Sequence, residues 1–349
     1  MIDIEELLQR AMDQGASDVH ISAWNSPQMR MDGRLIQLEG QILLEEDMEY
    51  LIQIFLNDSQ RKYLEETGEI ETAFSTAKIG RCRVHIFQQR GCYSAIFRLF
   101  GNGVPEVEKI LLPPSVLELY KEKQGLIIVS GAAGSGRTTT LAVLIEQINQ
   151  KIGGHILTLE SPIEYLYSVG KAMIHQREIG MDTINYNRAL KAALKEDVDV
   201  ILVGDMSDGE TIKAMITAAE MGHLVFGVMD AVGAVQTVEQ MVETFLPEQQ
   251  KIMRIRLARV LRAVVSQQLI PTSSSGKRQG VFDVMYANMT IKDLICEGKI
   301  AQIEKVMQIE EEMQRMDDGI YDLYIQGEID RKQALHYVRN ISLLEKKLL

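Results

Sequence analysis

The chain has 349 residues, 46% hydrophobic and 25% charged, with 37 Lys and Arg against 49 Asp and Glu. That length predicts two domains and supplies apolar material for two cores. The negative balance is even, with 10 basic and 16 acidic groups over residues 1–103 and 27 and 33 over 104–349, which excludes a chain-wide basic footprint for DNA or RNA. No stretch approaches the roughly 18 apolar residues that span a bilayer. Residues 1–8 carry Asp3, Glu5 and Glu6 in place of a basic leader. Cys82, Cys92 and Cys296 form neither a CxxC pair nor an even framework, which fits a reducing compartment. The expectation is a soluble, cytoplasmic protein.

In chain order, Ile4, Leu7, Leu8, Ala11 and Met12 recur at helical spacing and stop at Gly15. Asp18 to Ile21 alternates like a strand, and Met31 to Arg34 reads as a hairpin turn with Asp32-Gly33 at its tip. Residues 43–55 and 58–67 predict helices, and 81–88 and 93–100 predict strands joined near Arg90-Gly91. Gly101 to Pro105 combines breakers and marks the domain boundary. The rhythm beyond it changes. Short apolar runs at 126–129, 155–159, 198–203 and 223–226 read as buried parallel strands, separated by helices at 138–151, 186–196 and 209–221. That alternation predicts a doubly wound α/β domain. Lys251, Arg254, Arg256, Arg259 and Arg262 read as the solvated face of one helix, and the tail from about 287 reads as helical. Met285, Met289, Met307, Met313 and Met316 read as packing residues, Glu310 to Glu312 as solvated, and no histidine spacing suggests a metal site.

The strand at 126–129 runs into Gly131-Ala132-Ala133-Gly134-Ser135-Gly136-Arg137-Thr138. This follows the phosphate-loop pattern GxxxxGK(S/T) between a strand and a helix. Glycines let backbone N–H groups turn inward, and the helix N-terminus adds a positive field for phosphate. Thr138 falls where a Mg²⁺ ligand is needed. Arg137 stands at the lysine position, and a planar guanidinium fork does not follow phosphates as a slim ammonium does. A second acidic element, Gly204-Asp205-Met206-Ser207-Asp208, ends the strand at 198–203, where a carboxylate holds Mg²⁺ through water or polarises the attacking water.

Taken together, these segments resemble the secretion-ATPase superfamily, and within it the PilT/PilU-type motors of type IV pilus retraction. The resemblance runs nearly end to end. It rests on residues 15–21 with 31–33, Arg81 to Val84, Phe97-Arg98, the phosphate loop, 158–164, 199–205, 218–227, 245–249 and 290–295. It implies an α/β fold: a PAS-like N-terminal domain over 1–100, a linker over 101–112, a RecA-like P-loop ATPase domain over 113–286 and a helical C-terminal region over 287–349. It further implies ATP or ADP with Mg²⁺, bound by Gly131 to Thr139 (Gly131, Ala132, Ala133, Gly134, Ser135, Gly136, Arg137, Thr138 and Thr139) between subunits of a homohexamer. Catalytic roles fall on Asp205, Glu160 and His223, and Mg²⁺ binding on Thr138 and, through water, Asp205. The partners implied are further copies of the chain or an active paralogue, and a pilus platform protein at the inner membrane. Nucleic acid is not among them, and membrane contact is peripheral only. Arg81, Arg83 and Arg98 match family arginines, some of which reach a neighbour's nucleotide; each also reads as a surface ion pair, as Arg90 does.

Four positions depart from the family pattern. Arg137 replaces Lys, Ser161 replaces Asp, Asp205 replaces Glu, and Asp230 replaces the second His of a box that His223 opens. Shortening Glu to Asp withdraws a carboxylate by on the order of 1 Å, a misplacement that can lower rates about 10²-fold. A carboxylate at 230 opposes the anion that an imidazole would face. These changes predict weak or lost hydrolysis on a retained nucleotide-binding scaffold. The competing expectations are an active retraction motor and a non-catalytic regulatory or structural subunit beside an active paralogue, and a nucleic-acid motor is disfavoured by charge.

Overall fold

The apolar runs pair into two separate sheets. In the computed structural model, residues 3–31, 34–38, 41–76, 78–101, 103–273 and 278–347 are described. The chain divides into two compact units, one of Met1–Val104 with Pro162–Ser168 and the other of Pro105–Ser161 with Val169–Leu349.

The first unit carries an antiparallel six-stranded sheet among its described residues: β1 (Asp18–Ser22), β2 (Gln28–Met31), β3 (Arg34–Gln37), β4 (Glu69–Thr76), β5 (Gly80–Gln89) and β6 (Cys92–Gly101), in the order β3-β2-β1-β6-β5-β4. Its core is built from Leu7, Leu8 and Ala11 of the helix Ile4–Asp13, Met48 and Leu51 of the helix Glu45–Phe55, and Val19, Val84 and Phe97 of the sheet. The helix Asp58–Thr67 begins at a capping box formed by Asn57 and Gln60 and ends at Gly68, whose φ of 83° favours glycine. β2 and β3 pair with Met31 opposite Arg34, as a hairpin requires; the expected tip, Asp32-Gly33, lies outside the described residues. The strand β4 was not legible as a separate apolar run, because only Ile70 and Thr72 on it are buried.

The second unit carries a seven-stranded sheet, β7 (Gly125–Ser130), β8 (Gly154–Glu160), β9 (Ala172–Glu178), β10 (Val200–Val203), β11 (Leu224–Met229), β12 (Leu261–Pro271) and β13 (Arg278–Tyr286). The order is β13-β12-β7-β11-β10-β8-β9, parallel throughout except for the antiparallel β12–β13 pair. Every residue of β7, β10 and β11 is buried, as strands covered on both faces require. Helices Arg137–Gln147, Tyr186–Ala193, Gly209–Glu220 and Ala234–Glu243 separate the strands. The domain is therefore doubly wound and RecA-like.

Two expectations need correction. The basic stretch is not one helix: helix Pro247–Val260 passes without a turn residue into β12 at Leu261, so Arg262 lies on a strand and its Nε donates to the Gln124 carbonyl at 2.9 Å. Met285, Met307 and Met316 are buried and Met313 packs partly, but Met289 is 77% exposed at the start of helix Met289–Glu297. The tail is helical as expected, with helices Ile303–Met307, Met316–Ile325, Arg331–Tyr337 and Ile341–Lys347. Its anchor is Asp283 on β13, which is 1% exposed, accepts from the Met316 and Ala234 amides at 2.6 and 3.1 Å, and pairs with Arg339 at 2.8 Å. Burial pushes this carboxyl upward against the opposing pull of Arg339. No helix among the described residues is long and apolar enough to cross a membrane.

Candidate nucleotide site

Parallel strands bring the ends of β7, β8, β10 and β11 to one edge of the sheet, where a ligand site in such a fold belongs. The glycine-rich loop leaves β7 there. Gly131, Gly134 and Gly136 have φ of 154°, 76° and 88°. At Gly131 the need is also spatial, since a Cβ would stand 2.4 Å from both the Gln267 carbonyl oxygen and Ser135 Oγ. Ala132, Ala133 and Gly134 are exposed at the mouth, Ser135 is buried, and Arg137, Thr138 and Thr139 are half-buried on the first turn of helix Arg137–Gln147. Ser135 Oγ is buried without a hydrogen-bond partner among the described residues. A glycine-rich turn with an unsatisfied hydroxyl at a helix N-terminus fits a phosphate group.

Gln267, which no motif in the sequence marks, braces this loop from β12. It is 3% exposed. Its Nε2 donates to the Ser135 carbonyl at 2.6 Å, and its Oε1 accepts from Thr140 Oγ1 at 2.8 Å. One amide thus ties the loop to the helix that follows it. Only the register of β12 against β7, with Ser266 opposite Ser130, places it there.

Arg137 turns toward the end of β11. Its Nη1 donates to the Met229 carbonyl at 2.8 Å and forms an ion pair with Asp230. The same Met229 carbonyl accepts the Gly131 amide at 3.3 Å. The arginine side chain is 15% exposed, while Asp230 is 75% exposed at the rim. Just beyond Asp230 the backbone is pinned, with the Gly233 amide donating to Ser266 Oγ at 2.7 Å.

Glu160 ends β8, is 5% exposed, and accepts from Thr158 Oγ1 at 2.6 Å and Gln176 Nε2 at 3.3 Å. Asp205 follows β10, and its Oδ2 accepts from Ser207 Oγ at 2.8 Å. Tyr186, likewise unmarked by any motif, has a buried hydroxyl with no hydrogen-bond partner among the described residues. Burial, then the nearby Asp205 and Glu160 carboxylates, raise its pKa, so the phenol stays neutral between them. Asp208 caps helix Gly209–Glu220, accepting from the Thr211 amide at 2.9 Å and Thr211 Oγ1 at 2.6 Å. Ser161 is exposed.

His223 is not brought to this edge. It precedes β11, six strand residues from Asp230, or about 20 Å at a strand's rise. Its Nδ1 lies 2.9 Å from the Ala218 carbonyl. The three arginines lie in the first unit. Arg83 and Arg98 face each other across β5 and β6, each offset by a carboxylate: Arg83 Nε lies 3.8 Å from Glu71, and Arg98 Nε donates to Asp18 at 2.9 Å. Arg81 Nε donates to the Ile163 carbonyl at 2.7 Å. His155 and His175 meet at 2.9 Å across β8 and β9, but no group of three ligands able to hold a metal occurs among the described residues.

A sheet of this order, with a glycine-rich loop between a buried strand and a helix, defines the RecA-like ATPase fold. The chain belongs to the family described as Type II/IV secretion system protein, which matches residues 1–340. It is 37% identical over 335 residues to the type IV pilus retraction ATPase PilT of Pseudomonas aeruginosa, covering 95% of this chain and 97% of that one. It is 40% identical over 308 residues to the uncharacterized protein YggR of Escherichia coli, covering 88% and 93%. A crystal structure of the pilus retraction motor PilT with bound ADP superposes with a TM-score of 0.91 at 38% identity, over 99% of this chain and all of that one. The chain is thus a PilT/PilU-like secretion ATPase in sequence and fold.

Proposed function

We propose that this chain is a nucleotide-binding subunit of a type IV pilus retraction machine, with hydrolysis weak or lost. One observation carries the reading: the loop keeps its phosphate cradle, while the cation at its end is already engaged by Asp230. Amides of the loop from Ala132 to Thr138 would hold the phosphates. Thr138 would hold Mg²⁺ directly and Asp205 through water, and the nucleotide supplies the phosphoanhydride bond that an active relative breaks. Glu160 and Asp205 would orient the attacking water, but Asp205 is one methylene short of the family residue and is engaged by Ser207. Likeness to PilT supports a homohexamer, or a mixed ring with an active paralogue, on the cytoplasmic side of an inner-membrane platform protein. A reading as a fully active motor draws on one feature, the retention of both carboxylates at the strand ends.

The test is restoration. The triple variant Arg137→Lys, Asp205→Glu, Asp230→His should raise Mg·ATP turnover by about 10²-fold or more over wild type. Equal turnover in the two proteins would count against the reading.

A further inference from the structure

Loop amides and the residue-137 cation meet at the β-phosphate, and of the two only the cation reaches the γ-phosphate. The amide cradle surrounds the group seated in the loop, while a basic side chain at this position reaches outward to the β- and γ-phosphates. In this chain the cation is engaged. Arg137 is held by two acceptors, the Met229 carbonyl and the Asp230 carboxylate. A diphosphate forgoes the cation at its β-phosphate but keeps the loop amides, and Arg137 stays where it is. A triphosphate must bring its last group up to a guanidinium that already carries a carboxylate, and must sit beside that carboxylate.

We infer that Asp230 makes this site selective for a nucleoside diphosphate, by occupying the place on Arg137 that a γ-phosphate would take. This rests on the nucleotide-binding reading above and deepens it. Two like charges brought to contact distance repel, the more so in a partly buried site where the effective dielectric is low. Exposure of Asp230 to water screens much of that, leaving a discrimination on the order of tenfold. The second acceptor adds to it. Even with Asp230 neutralised, Arg137 keeps the Met229 carbonyl and stays close to the loop.

The test is competition between ADP and ATP for a fluorescent ADP analogue on the full-length protein with Mg²⁺, in wild type, Asp230→Asn and Asp230→Ser. Wild type should bind ADP at least about tenfold more tightly than ATP. Both variants should tighten ATP binding by a similar factor and leave ADP within about threefold, and thermal melting checks that they fold. Equal affinities in wild type, or a ratio that neither variant moves, would overturn the inference while leaving the nucleotide-binding reading intact. Binding of neither nucleotide by wild type would overturn both.

Discussion

Arg137 and Asp230 stand 93 positions apart in the sequence and form one ion pair at the mouth of the glycine-rich loop. The cation at the loop is therefore tied to the residue that follows β11. Neither residue can be restored alone with full effect. Arg137→Lys leaves an ammonium beside the Asp230 carboxylate, so it should change phosphate release by less than about tenfold. Adding Asp230→His should produce a larger gain than the two single variants predict together, since contacting residues couple. Simple additivity in steady-state phosphate release would refute the coupling.

Gln267 holds the loop through both ends of one amide. Gln267→Leu strands the Ser135 carbonyl and the Thr140 hydroxyl in a buried setting, and each unsatisfied group costs about 1–3 kcal/mol. The variant should lower the melting temperature and weaken nucleotide binding together. Gln267→Glu keeps the acceptor for Thr140 but sets a carboxylate against the Ser135 carbonyl, and it should be no better than Leu. Wild-type binding and melting in either variant would show that the brace is dispensable.

Tyr186 buries a hydroxyl that hydrogen-bonds to nothing among the described residues. Tyr186→Phe removes that polar atom and keeps the ring, and should stabilise the fold by about 1 kcal/mol. A lower melting temperature in the Phe variant would mean that the hydroxyl has a partner in solution.

Asp208 gives the helix Gly209–Glu220 an acid-sensitive start. Burial raises its pKa, but hydrogen bonds from the Thr211 hydroxyl and from backbone amides outweigh this and hold it below the ordinary 3.8. The folded state therefore favours the carboxylate. Its contribution to stability is present above pH 3.8 and is lost as pH falls through the lowered value. Urea midpoints measured downward from pH 5 should fall less steeply in Asp208→Asn, whose amide caps without titrating. Parallel pH profiles in the two proteins would contradict this.

The parts of the fold legible in the sequence are those with unmixed signals. Residues 126–129, β10 and β11 are wholly apolar, and the loop glycines punctuate the chain where the backbone needs them. β9 was hidden because it is an edge strand with Met173 and His175 exposed, so its pattern is neither wholly apolar nor cleanly alternating. The step from helix to β12 was hidden because no Gly or Pro separates Val260 from Leu261. At the site, the loop and the two carboxylates were visible as motifs. Gln267 and Tyr186 were not, since a glutamine on a strand and a tyrosine at a helix start carry no spacing signal. The Arg137–Asp230 pair depends on the alignment of β11 with β7, which places Met229 opposite Ser130. No local pattern in the sequence contains that register.

Steady-state phosphate release by the purified full-length protein with Mg·ATP, with Thr138→Ala as the blank, tests the central claim most directly. The account predicts wild-type release indistinguishable from the blank, in a protein that still binds ADP. Turnover well above the blank would contradict it and would make the chain a working motor that tolerates Arg137 and Asp205.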